Sequence, residues 1–422
     1  MESEGKNNAK KEKIGTQPYK GVRDFYPEDQ TLLNYILATE RDVCRRFGYE
    51  EYHASILEPA ELYRGKGADN EEIINEQTYT FMDRGGREVT LRPEMTPTVA
   101  RMLAARRRDL GFPLRLFSTP NLFRYEATQR GRLREHWQLN VDLFGSDSLA
   151  ADAEIISIAH ALFMAFGASQ SDFVIKLGSR SYLNALAAEL GLSEENTRAM
   201  FALLDRKDKM PQEKFEADME AIGVPLGKIS ADNPPEDVAA VLTLLSESGI
   251  DNAVFDPSIV RGFAYYTGVV FEVYDTHPEN KRALCGGGRY DNLTKLFDDE
   301  RVPAVGFGLG DVTVGHFLEV RGLIPPYLPS TRVYLAVPSE VHVATVQALA
   351  HELRQQGVTV AIDFGEKKLS DQIRQASKHK IPYLIVVGDT EAQTGTFVVR
   401  NLATGSDTTL KREQLAPFFT TL

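Results

Sequence analysis

Apolar residues recur every three or four positions across residues 29–47 and stop at Gly48, the spacing of an amphipathic helix closed by a glycine. Downstream the period shortens to two. Residues 78–82 and 89–91 alternate as short strands, a helix is predicted over 97–107, and residues 117–145 read as two strands joined by an arginine-rich loop. A helix over 150–166 follows. Between about 175 and 252 leucine and alanine return at helical spacing, interrupted by a polar stretch at 229–236, which predicts an inserted helical module. Alternation resumes at 269–274, and a helix is expected from Asp311, behind Gly306-Phe-Gly-Leu-Gly310.

Residues 323–331 contain three prolines and mark a linker, because proline removes donors and fixes the backbone. Beyond it, strands at 333–337, 358–364, 383–387 and 396–400 alternate with helices at 341–356 and 369–378. That alternation predicts a small α/β domain with a mainly parallel sheet. The first 17 residues are polar and nearly free of apolar side chains, so they read as a disordered tail; they carry glutamates and no arginine, unlike a transit peptide. The expected layout is therefore a tail (1–17), a large domain with its helical insertion (18–325), and a C-terminal domain (326–422).

Composition narrows the class. The 422 residues, 42% hydrophobic and 26% charged, suit a water-soluble chain of two or three domains. Only two cysteines occur, Cys44 and Cys285, far apart, so no disulfide framework is expected and a cytoplasmic location is the simpler reading. Neither they nor the eight histidines show metal-ligand spacing, and no protein metal site is expected. No apolar run reaches bilayer-spanning length. A net charge of −12 argues against indiscriminate nucleic-acid coating and leaves room for a local basic patch.

Candidate chemistry concentrates in two regions. Read as a strand, Leu122-Phe-Arg-Tyr-Glu126 puts Arg124 and Glu126 on one face. In residues 138–144, Gln138, Asn140 and Asp142 share a face while Leu139, Val141 and Leu143 turn to a core. The loop between carries Arg130, Arg132 and Arg134, so the pair offers either a polar floor with a cationic flap or a solvated sheet face with a charged hairpin. Further on, Arg261-Gly-Phe-Ala-Tyr-Tyr266 and Cys285-Gly-Gly-Gly-Arg-Tyr-Asp291 each bring an arginine beside tyrosine, chemistry suited to a small anionic polar ligand.

Taken in order, these segments resemble a known family. Phe123-Arg-Tyr-Glu126 with its arginine loop is similar to motif 2 of class II aminoacyl-tRNA synthetases, and Gly306-Phe-Gly-Leu-Gly310 stands where motif 3 belongs. Lys20-Gly-Val-Arg-Asp-Phe25, Leu91-Arg-Pro-Glu-Met-Thr96, residues 261–266 and residues 286–291 resemble signatures of histidyl-tRNA synthetases. The resemblance implies an antiparallel catalytic sheet flanked by helices, a C-terminal anticodon-binding-like domain, a homodimer, ATP with Mg²⁺, L-histidine and tRNA(His), and no membrane. It implies that Arg124 and Arg261 carry the chemistry. Glu94, Thr96, Gln138, Asp142, Tyr265, Tyr266 and Tyr290, with Arg261, are then expected around histidine. Glu126, Arg132, Arg134, Gly308 and Gly310, with Arg124, are expected around ATP, with a plain cross-strand ion pair as the alternative for Glu126. Gln129 and Arg132 would meet the tRNA acceptor end, and Lys367, Lys368, Arg374, Lys378 and Lys380 could face tRNA phosphates.

Two positions depart from the family pattern. Thr313 stands where motif 3 usually has an arginine, and Ala264 replaces the usual aspartate before the tyrosine pair. A non-catalytic relative that binds histidine or regulates histidine biosynthesis is the rival from another class.

Overall fold

The structure, a computed structural model, describes residues 14–64, 77–127, 131–207, 210–229, 232–261, 265–297, 300–364 and 367–421. It divides into two compact units, one ending at Ile324 and the other beginning at Pro325.

The larger unit is built on a nine-stranded sheet. Its strands are β1 (Glu50–Glu51), β5 (Leu114–Ser118), β6 (Asn121–Phe123), β7 (Glu135–Phe144), β8 (Phe173–Ser179), β9 (Ala253–Phe255), β10 (Val269–Asp275), β11 (Ala283–Arg289) and β12 (Ala304–Gly310). The order is β1-β5-β7-β12-β11-β10-β8-β9, with β6 pairing the start of β7. The interior pairings are antiparallel; only the outermost ones, β1 with β5 and β8 with β9, are parallel. A small sheet of β2 (Leu57–Pro59), β3 (Tyr79–Met82) and β4 (Glu88–Leu91) lies apart from it in pairing.

One face of the large sheet is covered by helices. Helix Pro27–Arg46 starts with proline in its first turn beside Glu28 and Asp29 and ends with Arg45 and Arg46, so both ends complement the helix dipole. It buries Leu33, Ile36, Val43 and Cys44 at helical spacing. Helix Leu149–Ala165 is capped by Ser148, which accepts from the Ala150 N–H. It packs Ile155, Ile158, Leu162 and Phe163 against Leu139, Val141 and Leu143 of β7. Strand alternation thus sends the apolar residues of β7 to the core and leaves Gln138, Asn140 and Asp142 on the other face. Between β8 and β9 run four helices, Arg180–Glu189, Glu194–Arg206, Gln212–Ala221 and Glu236–Glu247, among the described residues. Met200, Leu204, Phe215 and Met219 form a separate small core there.

The smaller unit has five strands, β13 (Val333–Ala336), β14 (Val360–Ile362), β15 (Tyr383–Val386), β16 (Thr396–Asn401) and β17 (Asp407–Lys411), in the order β14-β13-β15-β16-β17. The expected mainly parallel sheet is corrected to a mixed one. β13 is parallel to β14 and β15, but β15–β16 and β16–β17 are antiparallel. A parallel return needs a crossover of a dozen or more residues. The short link after β15, with helix Asp389–Thr394, instead brings the chain straight back, and Asn401 and Gly405 turn it into a fifth strand. Lys367, Lys368, Arg374, Lys378 and Lys380 are all exposed on this unit. No helix among the described residues is long and apolar enough to cross a membrane.

Candidate active site

The polar face of β7 forms the floor of a cleft with about 570 Å³ of free space including its open mouth. Gln138, Asn140 and Asp142 line it together with Glu94, Thr96, Arg124, Arg261, Tyr265, Tyr266 and Tyr290. The neighbouring strands make room by carrying glycine. A Cβ on Gly306 would stand 2.1 Å from Asp142 Oδ1, and one on Gly308 would stand 2.3 Å from Gln138 Nε2. A Cβ on Gly286 would lie 2.9 Å from Arg261 Nη1. Side chains on β11 and β12 would therefore fill the space that the polar groups of β7 and Arg261 occupy.

Both arginines singled out in the sequence reach this one cleft. Arg124 follows β6; its Nε donates to the Pro93 carbonyl at 2.8 Å, and its Nη1 lies 3.9 Å from Glu126 Oε1. Arg261 has a left-handed backbone, φ 57°, which costs a residue with a side chain about 1–2 kcal/mol. Its Nη1 donates to Glu272 Oε1 at 2.5 Å, and Tyr274 Oη donates to the other oxygen of Glu272 at 2.5 Å. Burial alone would pull the Arg261 pKa down, but Tyr266 and Glu272 more than offset it, so the guanidinium stays charged. The sequence gives Glu272 no role of its own. Its signal, a carboxylate one strand position from the glycine run, becomes readable only once β10 and β11 are paired in register.

Two buried carboxyls face the cations. Glu94 is pushed up to about 6, first by burial and against the pull of Arg124. Asp142 rises to about 7, again by burial, with the hydrogen bond from Tyr290 opposing. Tyr290 Oη donates to Asp142 Oδ1 at 2.5 Å. The three tyrosines form one wall: Tyr265 and Tyr266 have ring centroids 4.8 Å apart, and Tyr265 meets Tyr290 edge-on at 5.8 Å. His136, which sequence reasoning passed over, is lowered to about 3 by burial and then by the charges of Arg124 and Arg23, so it is a neutral ring beside the cations. A cleft with fixed cations, buried acids and a phenolic wall can hold a small zwitterion and neutralise a phosphate placed between the two arginines.

Gly308 apart, the other expected site residues that the structure describes lie around the cleft rather than in its lining. Glu126 meets Arg132 at 3.4 Å as well as Arg124. Arg134 is braced: it sits 3.9 Å from the Tyr125 ring centroid, with donors spent on Tyr19 Oη and the Glu126 carbonyl. Gly308 lines the cleft, whereas Gly310 caps helix Asp311–Val320. The Thr313 hydroxyl lies 2.9 Å from the Leu284 carbonyl and 2.8 Å from that of Gly310. In the same turn Asp311 pairs with Arg23 at 2.7 Å. Gln129, Arg130 and Ala264 fall outside the described residues.

Comparison with known proteins agrees with this arrangement. A family model described as histidyl-tRNA synthetase matches residues 21–222 and 226–312, and an anticodon binding domain model matches residues 332–422. The chain belongs to the histidyl-tRNA synthetase family. Among family members, the histidine--tRNA ligase of Leptospira biflexa is 41% identical over 93% of this chain and 95% of its own length. That of Thermoplasma volcanium is 36% identical over 94% and 97%. The crystal structure of a histidyl-tRNA synthetase from Nostoc sp. PCC 7120 shares the fold with a TM-score of 0.82, covering 97% of this chain and all of its own at 24% identity.

Proposed function

We propose that this chain is a histidine–tRNA ligase that activates L-histidine with ATP and transfers it to the 3′ end of tRNA(His). The observation that carries the reading is the convergence of Arg124 and Arg261 on one cleft that also holds Glu94, Asp142 and the tyrosine wall. In the first step a histidine carboxylate oxygen attacks the α-phosphorus of ATP, and pyrophosphate leaves with the electron pair of the broken P–O bond. In the second, the terminal ribose hydroxyl of the tRNA attacks the activated carbonyl and AMP leaves.

Charge builds on the phosphate oxygens in the first step, so cations already aimed at them supply the main electrostatic gain. Arg124 is assigned to the α-phosphate. Arg261, oriented by Glu272, is assigned to bridge the substrate carboxylate and that phosphate, a task suited to a planar guanidinium. Glu94 takes the α-ammonium, beside Thr96. Gln138, Asp142, Tyr265, Tyr266 and Tyr290 enclose the imidazole. Glu126, Arg132 and Arg134, with Gly308 and Gly310, are assigned to ATP; the Nε and Nη1 of Arg134 are held by the Glu126 carbonyl and Tyr19 Oη. Arg132 and Gln129 are placed towards the acceptor end. Among the described residues no three His, Cys, Asp or Glu side chains converge on a cation site. Mg²⁺ would arrive held by the phosphate oxygens of ATP, and no side chain is assigned to it. A homodimer in the cytoplasm goes with this reading.

Histidine-dependent exchange of label between pyrophosphate and ATP tests it. The wild-type chain should exchange with histidine and not with other amino acids. Arg261→Ala should lower the rate by roughly 10²–10³-fold while the circular dichroism spectrum is kept. Histidine binding without exchange would favour a regulatory relative instead.

A further inference from the structure

Arg261, Tyr265 and Tyr266 all lie between Val260 and Gly268, and both ends of that stretch bind a single residue outside it. Arg180 opens helix Arg180–Glu189, directly after β8. Its backbone N–H donates to the Gly268 carbonyl at 2.9 Å. Its Nη1 donates to the Val260 carbonyl at 3.3 Å in a buried setting. The same guanidinium sits 4.0 Å from the ring centroid of Phe201, on helix Glu194–Arg206 of the helical module. One side chain therefore touches the module and the base of the loop at once.

The backbone around this point is closely fitted. Val260 packs into the core of the helical module, whereas Ile259, one residue earlier, packs with Tyr266 and Tyr290. A Cβ on Gly178 would stand 2.0 Å from the Ile259 carbonyl oxygen, so β8 is pressed directly against the same segment. Arg261 follows at once with its left-handed φ of 57°. Such a conformation persists only where the surroundings over-determine it.

Arg180 is a costly choice for mere packing. It is 9% exposed, and among the described residues its buried Nε has no partner and no carboxylate pairs with it. A buried cation without a counter-ion loses solvation that an apolar side chain of equal size would not. What arginine adds is a flat group that stacks on an aromatic ring while its edge donates, which neither lysine nor methionine can do.

Resting on the ligase reading of the cleft, we propose that Arg180 is a positioning residue whose own contacts tie the helical module to the loop carrying Arg261 and set the alignment of that arginine. Arg180 is not among the residues that line the cleft. Its effect should appear in the rate at saturation more than in histidine affinity.

The test compares Arg180→Met, Arg180→Lys and Met219→Ala with wild type, in the full-length chain, by histidine-dependent ATP–pyrophosphate exchange and thermal unfolding. Met219 lies in the module core and its truncation loosens that core without removing the tether. Arg180→Met should lower kcat roughly ten- to hundredfold, with a smaller change in the KM for histidine, as a misplaced catalytic group does. Arg180→Lys should recover little of it, and Met219→Ala should keep kcat although its Tm falls. Unchanged kcat in Arg180→Met would overturn the assignment. So would an equal loss in Met219→Ala, because stability alone would then explain the effect. A wild-type chain without exchange would overturn the ligase reading, and this assignment with it.

Discussion

Replacing Asp142 by Asn removes a buried charge while keeping an oxygen to which Tyr290 can donate. Folding moves the wild-type carboxyl from its ordinary 3.8 to about 7, because burial disfavours the charged form. The difference, 7 − 3.8, is about 3, and at about 1.36 kcal/mol for each factor of ten this costs the folded state about 4 kcal/mol. Between those two values the unfolded chain releases a proton that the folded one keeps. Stability therefore falls as pH rises through this window, and the full penalty is reached above about 7. Below 3.8 both states hold the proton and there is no penalty. With Asp142 only 4% exposed, solvent screening gives little relief. In chemical denaturation without histidine, Asp142→Asn should be more stable than wild type at pH 8, by up to about 4 kcal/mol, with less than half of that gain left at pH 5. Histidine affinity, read by calorimetry, should fall in the same variant, since the imidazole loses an acceptor. A variant less stable than wild type at pH 8, or a gain independent of pH, would refute the account of a strained, functional carboxylate.

The other expectations concern different parts of the molecule. Gly306→Ala places a methyl group against Asp142 and should cost about 1–3 kcal/mol of stability and most histidine affinity, measured by unfolding and by calorimetry. Glu94→Gln should raise the KM for histidine roughly ten- to hundredfold, the worth of a charged hydrogen bond. In wild type, Glu94 is protonated below about 6, so affinity should drop through that pH; the variant should lack this component of the pH profile. Replacing Lys368 and Lys378 together by alanine should leave exchange unchanged, raise the KM for tRNA and flatten its salt dependence. An unaltered salt dependence would remove those lysines from the proposed tRNA contact.

What the sequence makes legible here is set by period and by proximity. The alternation of Gln138 to Leu143 is a two-residue repeat, so the polar face of β7 and its apolar back could be assigned without coordinates. The pattern puts Arg124 on a polar face with Glu126, and the two side chains do meet, although β6 ends at Phe123 and the strand expected through residue 126 is shorter. Arg134 was harder. Its neighbours in the sequence are charged, but the groups that hold it, Tyr19 and Tyr125, arrive through tertiary folding. Glu272 was hidden for the same reason, since its partner Arg261 comes from a loop before the strand. Hydrophobic pattern also carries no information on strand direction, which is why the C-terminal sheet read as mainly parallel. The four helices between β8 and β9 were visible as a module, but not the tether from Arg180 to Val260, a contact between residues 80 positions apart.

The bare backbone beneath the cleft makes its evolution one-sided. Glycine has no side chain left to trim, so no substitution at Gly306 or Gly308 can deepen the chamber for a bulkier amino acid. A methyl at Gly306 would run into Asp142 and the Val141 carbonyl, and one at Gly308 would displace the end of Gln138. Any change of guest must therefore be written on β7 or among the tyrosines, the residues proposed to hold the amino acid. Selectivity guarded in this way is easily lost and hard to redirect.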